Sequence, residues 1–486
     1  MKLSPSRRRP VRRGLRLWHV WIVLPLTFTT ALAIAAGVFF AGWDVLGARG
    51  LKPEHRIDSK TLFDLVKLSF GVVAGAGALV ALVVAYRRQR VDEDAALRDA
   101  TRLHTERFTT AVSQLGNDSA AVRLGGVHAL AGLADDAPTR DLRQTCIDVL
   151  CAYLRLPYTA ESDLPTGNAD ARHAYLALRE VRHTVIRLIR DHLRLSHQNP
   201  HSWQGHDFDF TGVVFDGGDF AGVKLTGGTV SFDLAQFTGG TVSFAGAQFT
   251  GGRVSFHSAQ FTGGTVSFRH AKFTDGTVSF HSAKFTGGTV DFSHAKFTGG
   301  TVSFHSAKFT GGTVSFHSAK FTGGTVSFDL AKFTGGTVSF GGAQFTGGRV
   351  SFHSAQFTGG TVGFDLAQFT DGTVSFLSAQ FTGGTVSFLS AQFTDGTVSF
   401  LSAKFTGGTV GFGGAQFTGG TVGFYHAKFT GGTVGFRHAQ FTDGTVSFHS
   451  AQFTGGTVDL SEALGVAPIG LPGAPLPAGL RLSPAW

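Results

Sequence analysis

Cysteine is almost absent from this chain of 486 residues: Cys146 and Cys151 are the two it has. Five positions apart, they would project about 140° from one another on a helix, too divergent to share a metal ion. No disulfide is expected of them, and they read as small buried apolar residues. Charge is also scarce, at 15% of residues, with 42 Lys/Arg against 33 Asp/Glu and a net charge of +9. The surplus is concentrated. Lys2, Arg7, Arg8, Arg9, Arg12, Arg13 and Arg16 stand in an arm, residues 1–16, that has no acid, whereas residues 225–464 hold 12 basic and 10 acidic side chains. A near-neutral body excludes a broad nucleic-acid-binding surface, so nucleic acid is not an expected partner. Paired carboxylates, a nucleophile beside its base and a zinc-spaced cluster are likewise missing from the linear sequence. Glycine pairs are plentiful, but none lies in the strand-to-helix setting of a phosphate loop. No catalytic residue and no cofactor is assigned, and the chain is not expected to be an enzyme.

What is present is a twelve-residue unit, variants of A-K/Q-F-T-G-G-T-V-S-F-x-x, repeated about twenty times between residues 225 and 464. Its opening phenylalanine recurs at Phe237, Phe249 and Phe261 and onward to Phe453, with Leu225 in the first slot. Self-similarity at a short period predicts a solenoid in which each unit packs on its neighbours. Such a chain builds a repetitive surface in place of one converging site.

Within the unit Thr301–Gly312 the apolar residues form two pairs, Val302/Phe304 and Ala307/Phe309. Members of a pair are two apart and share one face of an extended segment, while Ser303 and Lys308 face water. His305-Ser306 and Thr310-Gly311-Gly312 are turn residues. The unit therefore reads as two short strands and two corners. Twelve residues per coil would crowd two phenylalanines, a valine and an alanine into a very narrow tube. A 24-residue coil gives four sides with one Phe each, and overpacking is costly. Some ten coils about 4.8 Å apart would form a rod on the order of 50 Å long.

Ala307-Lys308-Phe309-Thr310-Gly311 and Val302-Ser303-Phe304-His305-Ser306 both resemble the pentapeptide repeat, small-x-Phe/Leu-x-x, with Gly-Thr inserted between them. Phe210, Phe215, Phe220 and Leu225 are spaced by five, as in an uninterrupted run. The resemblance implies a right-handed quadrilateral β-helix over residues 201–464, from which the two-residue insertion departs. Some pentapeptide-repeat proteins mimic DNA through a strongly acidic face and occupy topoisomerases. The near-neutral balance here departs from that pattern, so the fold is carried over and that function is not.

The first half differs in composition. Residues 17–43 are almost wholly apolar or small, enough to cross a bilayer core of about 30 Å. A second such segment spans residues 62–86, its apolar part starting near Leu68, and is followed by Arg87-Arg88-Gln89-Arg90. Basic residues before the first and after the second segment predict two transmembrane helices, a short external loop at 44–61 and cytoplasmic N- and C-terminal parts. The expected location is a bacterial inner (cell) membrane, with membrane lipid as one partner. A cleaved signal peptide fits less well, since the run exceeds the roughly 7–15 apolar residues of such a segment.

Residues 87–200 predict an all-α segment, with helices from Asp92 to Leu115, Ala120 to Leu133, Asp141 to Leu154 and Ala171 to Leu195. The stretch Ala121–Leu133 is similar to a HEAT-like helical repeat. Together with the two apolar segments, the Cys146–Arg155 stretch and the Phe-rich repeat, it resembles a group of actinobacterial membrane-anchored pentapeptide-repeat proteins. The Pro/Gly-rich tail, residues 465–486, is read as loose or folded over the last coil, with Leu471, Leu476 and Trp486 favouring a cap.

Two sets of residues stand out in the solenoid. His257, His281 and His305 follow the second Phe of their units at intervals of 24, so a 24-residue coil stacks them in one column. Neighbouring imidazoles about 5 Å apart make them candidate metal ligands. The competing reading is a permissive corner facing water, since Asp329, Leu377, Leu401 and Tyr425 occupy the same column. Lys272, Lys284, Lys296, Lys308, Lys320 and Lys332 precede the opening Phe of six consecutive units, where Gln stands in most others. They form a mildly cationic block that could meet phosphate or acidic protein; alternatively, the ladder keeps a long β surface soluble. The sequence thus supports a membrane-tethered, non-enzymatic scaffold that binds an unidentified cytoplasmic protein. The second reading is a membrane-linked sensor or regulator in which the helical segment acts and the solenoid is a spacer or decoy.

Overall fold

The computed structural model describes residues 20–45, 58–161, 164–473 and 475–486. The chain divides into two units, Met1–Leu103 and His104–Trp486. The basic arm, and most of the expected external loop, lie outside the described residues.

Helix α1 runs Val20–Val45 and α2 runs Ser59–Leu115. The expected pair of transmembrane helices is corrected here: among the described residues, no helix is long and apolar enough to cross a membrane. Small and polar side chains dilute the apolar ones. In α1, Thr29 and Thr30 turn their hydroxyls back to the carbonyls of Pro25 and Leu26. In α2, Asp64 and Lys67 pair at 3.7 Å near the start, and Gly71, Gly75 and Gly77 follow. The helix expected from Asp92 is not a separate element either, because α2 is continuous through Arg87-Arg88-Gln89-Arg90. The inner-membrane location and the cytoplasmic assignment rested on those two spans and fall with them.

In the second unit, α3 (Ala120–Asp135), α4 (Arg140–Arg155) and α5 (Ala169–Arg194) form a helical block. The Thr139 hydroxyl accepts from the Leu142 amide at 3.3 Å, and Asn168 Oδ1 accepts from the Ala171 amide at 3.0 Å, so both N-termini carry side-chain caps. Ser119 does not cap α3 with its side chain. Val127, Leu130, Ile147, Leu150, Val185 and Ile189 are fully buried between these helices.

The rest is a solenoid of about eleven turns. Strands β1 (Phe208–Asp209), β2 (Val214–Phe215), β3 (Gly218–Asp219) and β4 (Lys224–Thr226) make the four sides of its first coil. In the twelve-residue region each strand pairs in parallel with the one 24 residues on: Val302 with Val326, Lys308 with Lys332, Val314 with Val338 and Phe321 with Phe345. Two sides are separate 11-stranded sheets. The other two join near the end of the rod, where strands Lys428–Gly435 and Gln452–Asp459 each run through both sides.

Alternation places Val302, Phe304, Ala307 and Phe309 inside at 2% exposure or less. Phe304 stacks on Phe280 and Phe328 with centroids at 4.7 Å and meets Phe316 edge-on at 6.0 Å and 88°. Stacking along the axis and edge-to-face contact across it are the two favoured arrangements of aromatic quadrupoles. Each buried Phe contributes about 1.5–3 kcal/mol.

The first coil shows how the repeat tolerates its insertion. Phe215 and Phe220 are five residues apart, whereas Phe237 and Phe244 above them are seven apart. Phe237 still stacks on Phe215 at 5.2 Å, and Phe244 on Phe220 at 5.0 Å. Register shows the same: β2 pairs at an offset of 22 (Phe215 with Phe237), β3 at 24 (Gly218 with Val242). The two added residues enlarge the corner and leave the inward side chains in place.

At the far end the tail closes the rod. Leu480 and Arg481 pair in parallel with Val458 and Asp459. Trp486 lies 6.3 Å from the Phe441 ring, and its indole N–H donates to the Gly465 carbonyl at 2.7 Å.

Candidate binding surface of the solenoid

The slot before each inward Phe alternates outward, and the 24-residue coil sorts its lysines into two columns. Lys284, Lys308 and Lys332 occupy neighbouring strands on one side. Lys272, Lys296 and Lys320 do the same on another. Each column is bounded by glutamine: Gln260 and Gln356 for the first, Gln248 and Gln344 for the second. Among the described residues no carboxylate pairs with any of the six.

The two columns differ in what lies beside them. A groove of about 420 Å³ runs along Lys284, Lys308 and Lys332, lined also by Ser258, Ser282, Ser306 and Ser354, whereas the slots two before Lys272, Lys296 and Lys320 hold His270, His294 and Ser318. These serines hold a left-handed backbone, φ 53–57°, at the corner after the second Phe. The amides of Ser258 and Ser282 donate to the carbonyls of His281 and His305 in the next coil, at 2.8 and 2.9 Å. Their backbones are thereby tied, while their hydroxyls bond no protein group among the described residues.

His257, His281 and His305 precede these serines and stack at 5.1 and 5.0 Å with ring planes within 12°. Burial, and then His305 and His257, pull His281 below its ordinary value. Parallel rings aim their in-plane lone pairs side by side, whereas a shared ion needs them to converge. Among the described residues, no group of three or more His, Cys, Asp or Glu side chains is placed to hold a metal ion.

A family model described as pentapeptide repeats (9 copies) matches residues 210–260. That stretch contains Phe210, Phe215 and Phe220 at intervals of five and the first twelve-residue units, all within one four-sided solenoid. The matched stretch and the solenoid it opens support a pentapeptide-repeat protein. No curated protein and no solved structure matches it. Neither membrane anchoring nor an actinobacterial source follows from the family match.

Outside the repeats, one thiol meets an imidazole. Cys146 Sγ lies 3.8 Å from His104 Nε2, both buried. Burial pushes the Cys146 thiol up to about 11 and Cys151 to about 12, and it lowers His104. The pair stays neutral and closed to solvent, which suits packing and not nucleophilic chemistry.

Sequence reasoning missed the polar lock between the helical block and the first coil. Tyr158 and Tyr175 both donate to Asp216 Oδ2 at 2.5 Å, and His183 Nε2 lies 3.4 Å from Oδ1. Burial raises the Asp216 carboxyl, but the bonds from His183, Tyr158 and Tyr175 outweigh it and hold the group well below the usual carboxylate range. Buried Arg182 donates to the Leu154 and Val214 carbonyls and lies over the Tyr158 ring at 4.1 Å. These partners are up to 58 residues apart in sequence. No periodicity marks them, since Asp216 stands in the slot after an inward Phe, where Thr211 and Thr238 are also polar.

Proposed function

We propose that this pentapeptide-repeat protein is a non-enzymatic scaffold whose rod presents a rigid β surface to another protein. The observation that carries this is the groove beside Lys284, Lys308 and Lys332, where three ammonium groups without carboxylate partners face four serine hydroxyls. Parallel ladders and stacked phenylalanines hold that face in one shape, so association need not order it. The experiment is a photo-crosslinking scan in the source cell. A crosslinking residue is placed in turn at Ser303, Lys308, Ser315 and Lys320, one per side of a coil, and at Glu180 in the helical block. Reproducible capture of one protein from a rod position is the expected result. Capture from Glu180 alone would transfer the function to the helical block.

A further inference from the structure

The two lysine columns carry the same charge but not the same surroundings, and the difference points to a partner. We infer that the groove along Lys284, Lys308 and Lys332 receives an extended acidic segment of a partner protein. This rests on the scaffold reading and specifies it. With coils about 4.8 Å apart, the three ammonium groups span about 10 Å along the axis. Same-face side chains of an extended segment recur every ~6.6 Å. Two carboxylates in alternation therefore fit within the reach of the three lysines. The lining serines supply hydroxyls that both donate and accept, matching the amides and carbonyls of an extended backbone. Leu330 interrupts the serine row between Ser306 and Ser354 and is 47% exposed, giving the segment one apolar contact.

Charge distribution argues against duplex nucleic acid in this groove. Three lysines neutralise about three phosphates, whereas duplex-binding proteins commonly make roughly 6–10 phosphate contacts. The surrounding 225–464 surface adds little field, with 12 basic and 10 acidic residues.

The test is fluorescence anisotropy of a labelled peptide of alternating glutamate and serine, titrated with the full chain. Two triple variants of equal charge are compared: K284Q/K308Q/K332Q on the groove and K272Q/K296Q/K320Q on the other column. Glutamine occupies the same slot in neighbouring coils, so both variants keep the fold, which circular dichroism verifies. The groove variant should weaken binding about tenfold or more, and the other by less than about twofold. Equal losses would reduce the effect to net charge and overturn the inference, as would no binding of the peptide to the parent chain. Tighter binding of a short DNA duplex than of the peptide would overturn it too. In the crosslinking scan, capture from Ser303, Ser315 or Lys320 but not Lys308 would sink the groove and leave the scaffold standing.

Discussion

Gly311 and Gly323 open two Thr-Gly-Gly-Thr corners that are identical in sequence and one unit apart, yet their backbones differ. At Gly323 φ is +70° and an added Cβ would meet nothing within 4 Å. At Gly311 the left-handed residue is the next one, Gly312 at φ +72°, and a Cβ on Gly311 would lie 2.4 Å from the Thr286 carbonyl oxygen. Asp275 and Asp371 replace the corner glycine in the Gly323 column and take the same left-handed backbone, at φ 52° and 60°. Units of equal sequence thus alternate in conformation through Asp371; farther on, Gly420 takes the left-handed φ at +73° and a Cβ on Gly419 would meet the Thr394 carbonyl, while strand pairing keeps the repeat at 24 residues.

That alternation predicts opposite tolerances. G311A should lose about 1–3 kcal/mol, since the clash is with backbone and the corner cannot collapse around it. G323N should stay within about 1 kcal/mol of the parent, because asparagine enters the left-handed region with little strain. Denaturant unfolding of the two variants measures this, and the reverse ranking would refute the alternation.

Phe304 is fully buried between Phe280 and Phe328. F304A should cost about 3–5 kcal/mol by removing the ring and leaving a cavity. In a solenoid the damage is nearest-neighbour in character. Hydrogen exchange should rise in the coils flanking residue 304 and stay low at both ends of the rod. A uniform rise along the whole rod would contradict this.

Acid should weaken the join between helical block and rod in two steps. Burial first, then Arg140 and Arg143, hold His206 down from 6.5 to about 4. Between those values the unfolded chain takes up a proton that the folded chain refuses, so stability falls as pH drops from 6.5 toward 4 and levels below it. H206Q should reduce the loss of melting temperature between pH 7 and pH 4.5. Asp216 acts lower. Its folded pKa lies below the ordinary 3.8, so its stabilisation is present above 3.8 and is lost as pH falls further. D216N should remove that second step alone; unchanged pH profiles in both variants would exclude the lock.

The tail prediction concerns the open end. Truncation after residue 469 removes Leu480 from Val458 and Trp486 from Phe441. Unpaired strand edges over an apolar core then favour end-to-end association. Light scattering should show mass rising with concentration in the truncated chain and not in the parent.

Much of the rod was legible because in-and-out alternation is a local property of an extended chain. Val302, Phe304, Ala307 and Phe309 could be placed inside, and Lys308 outside, from spacing and side-chain size. The 24-residue coil followed from volume, since two phenylalanines per level overfill a narrow tube. Apolar composition misled in the first hundred residues, where run length and basic flanks point to two membrane spans but no described helix is long and apolar enough to cross one.

Residue types and their period were enough for the repeat, its inward face and the lysine slot, because each depends only on neighbours along the chain. Three features needed the folded coil: the alternating corners at Gly311 and Gly323, the serine-lined groove beside Lys284, Lys308 and Lys332, and the Asp216 lock. Each depends on what closure of the chain brings opposite a residue. Thr286 reaches Gly311 from 25 positions away, and Tyr158 reaches Asp216 from 58. A unit that repeats every twelve residues holds no local record of which coil will lie against it.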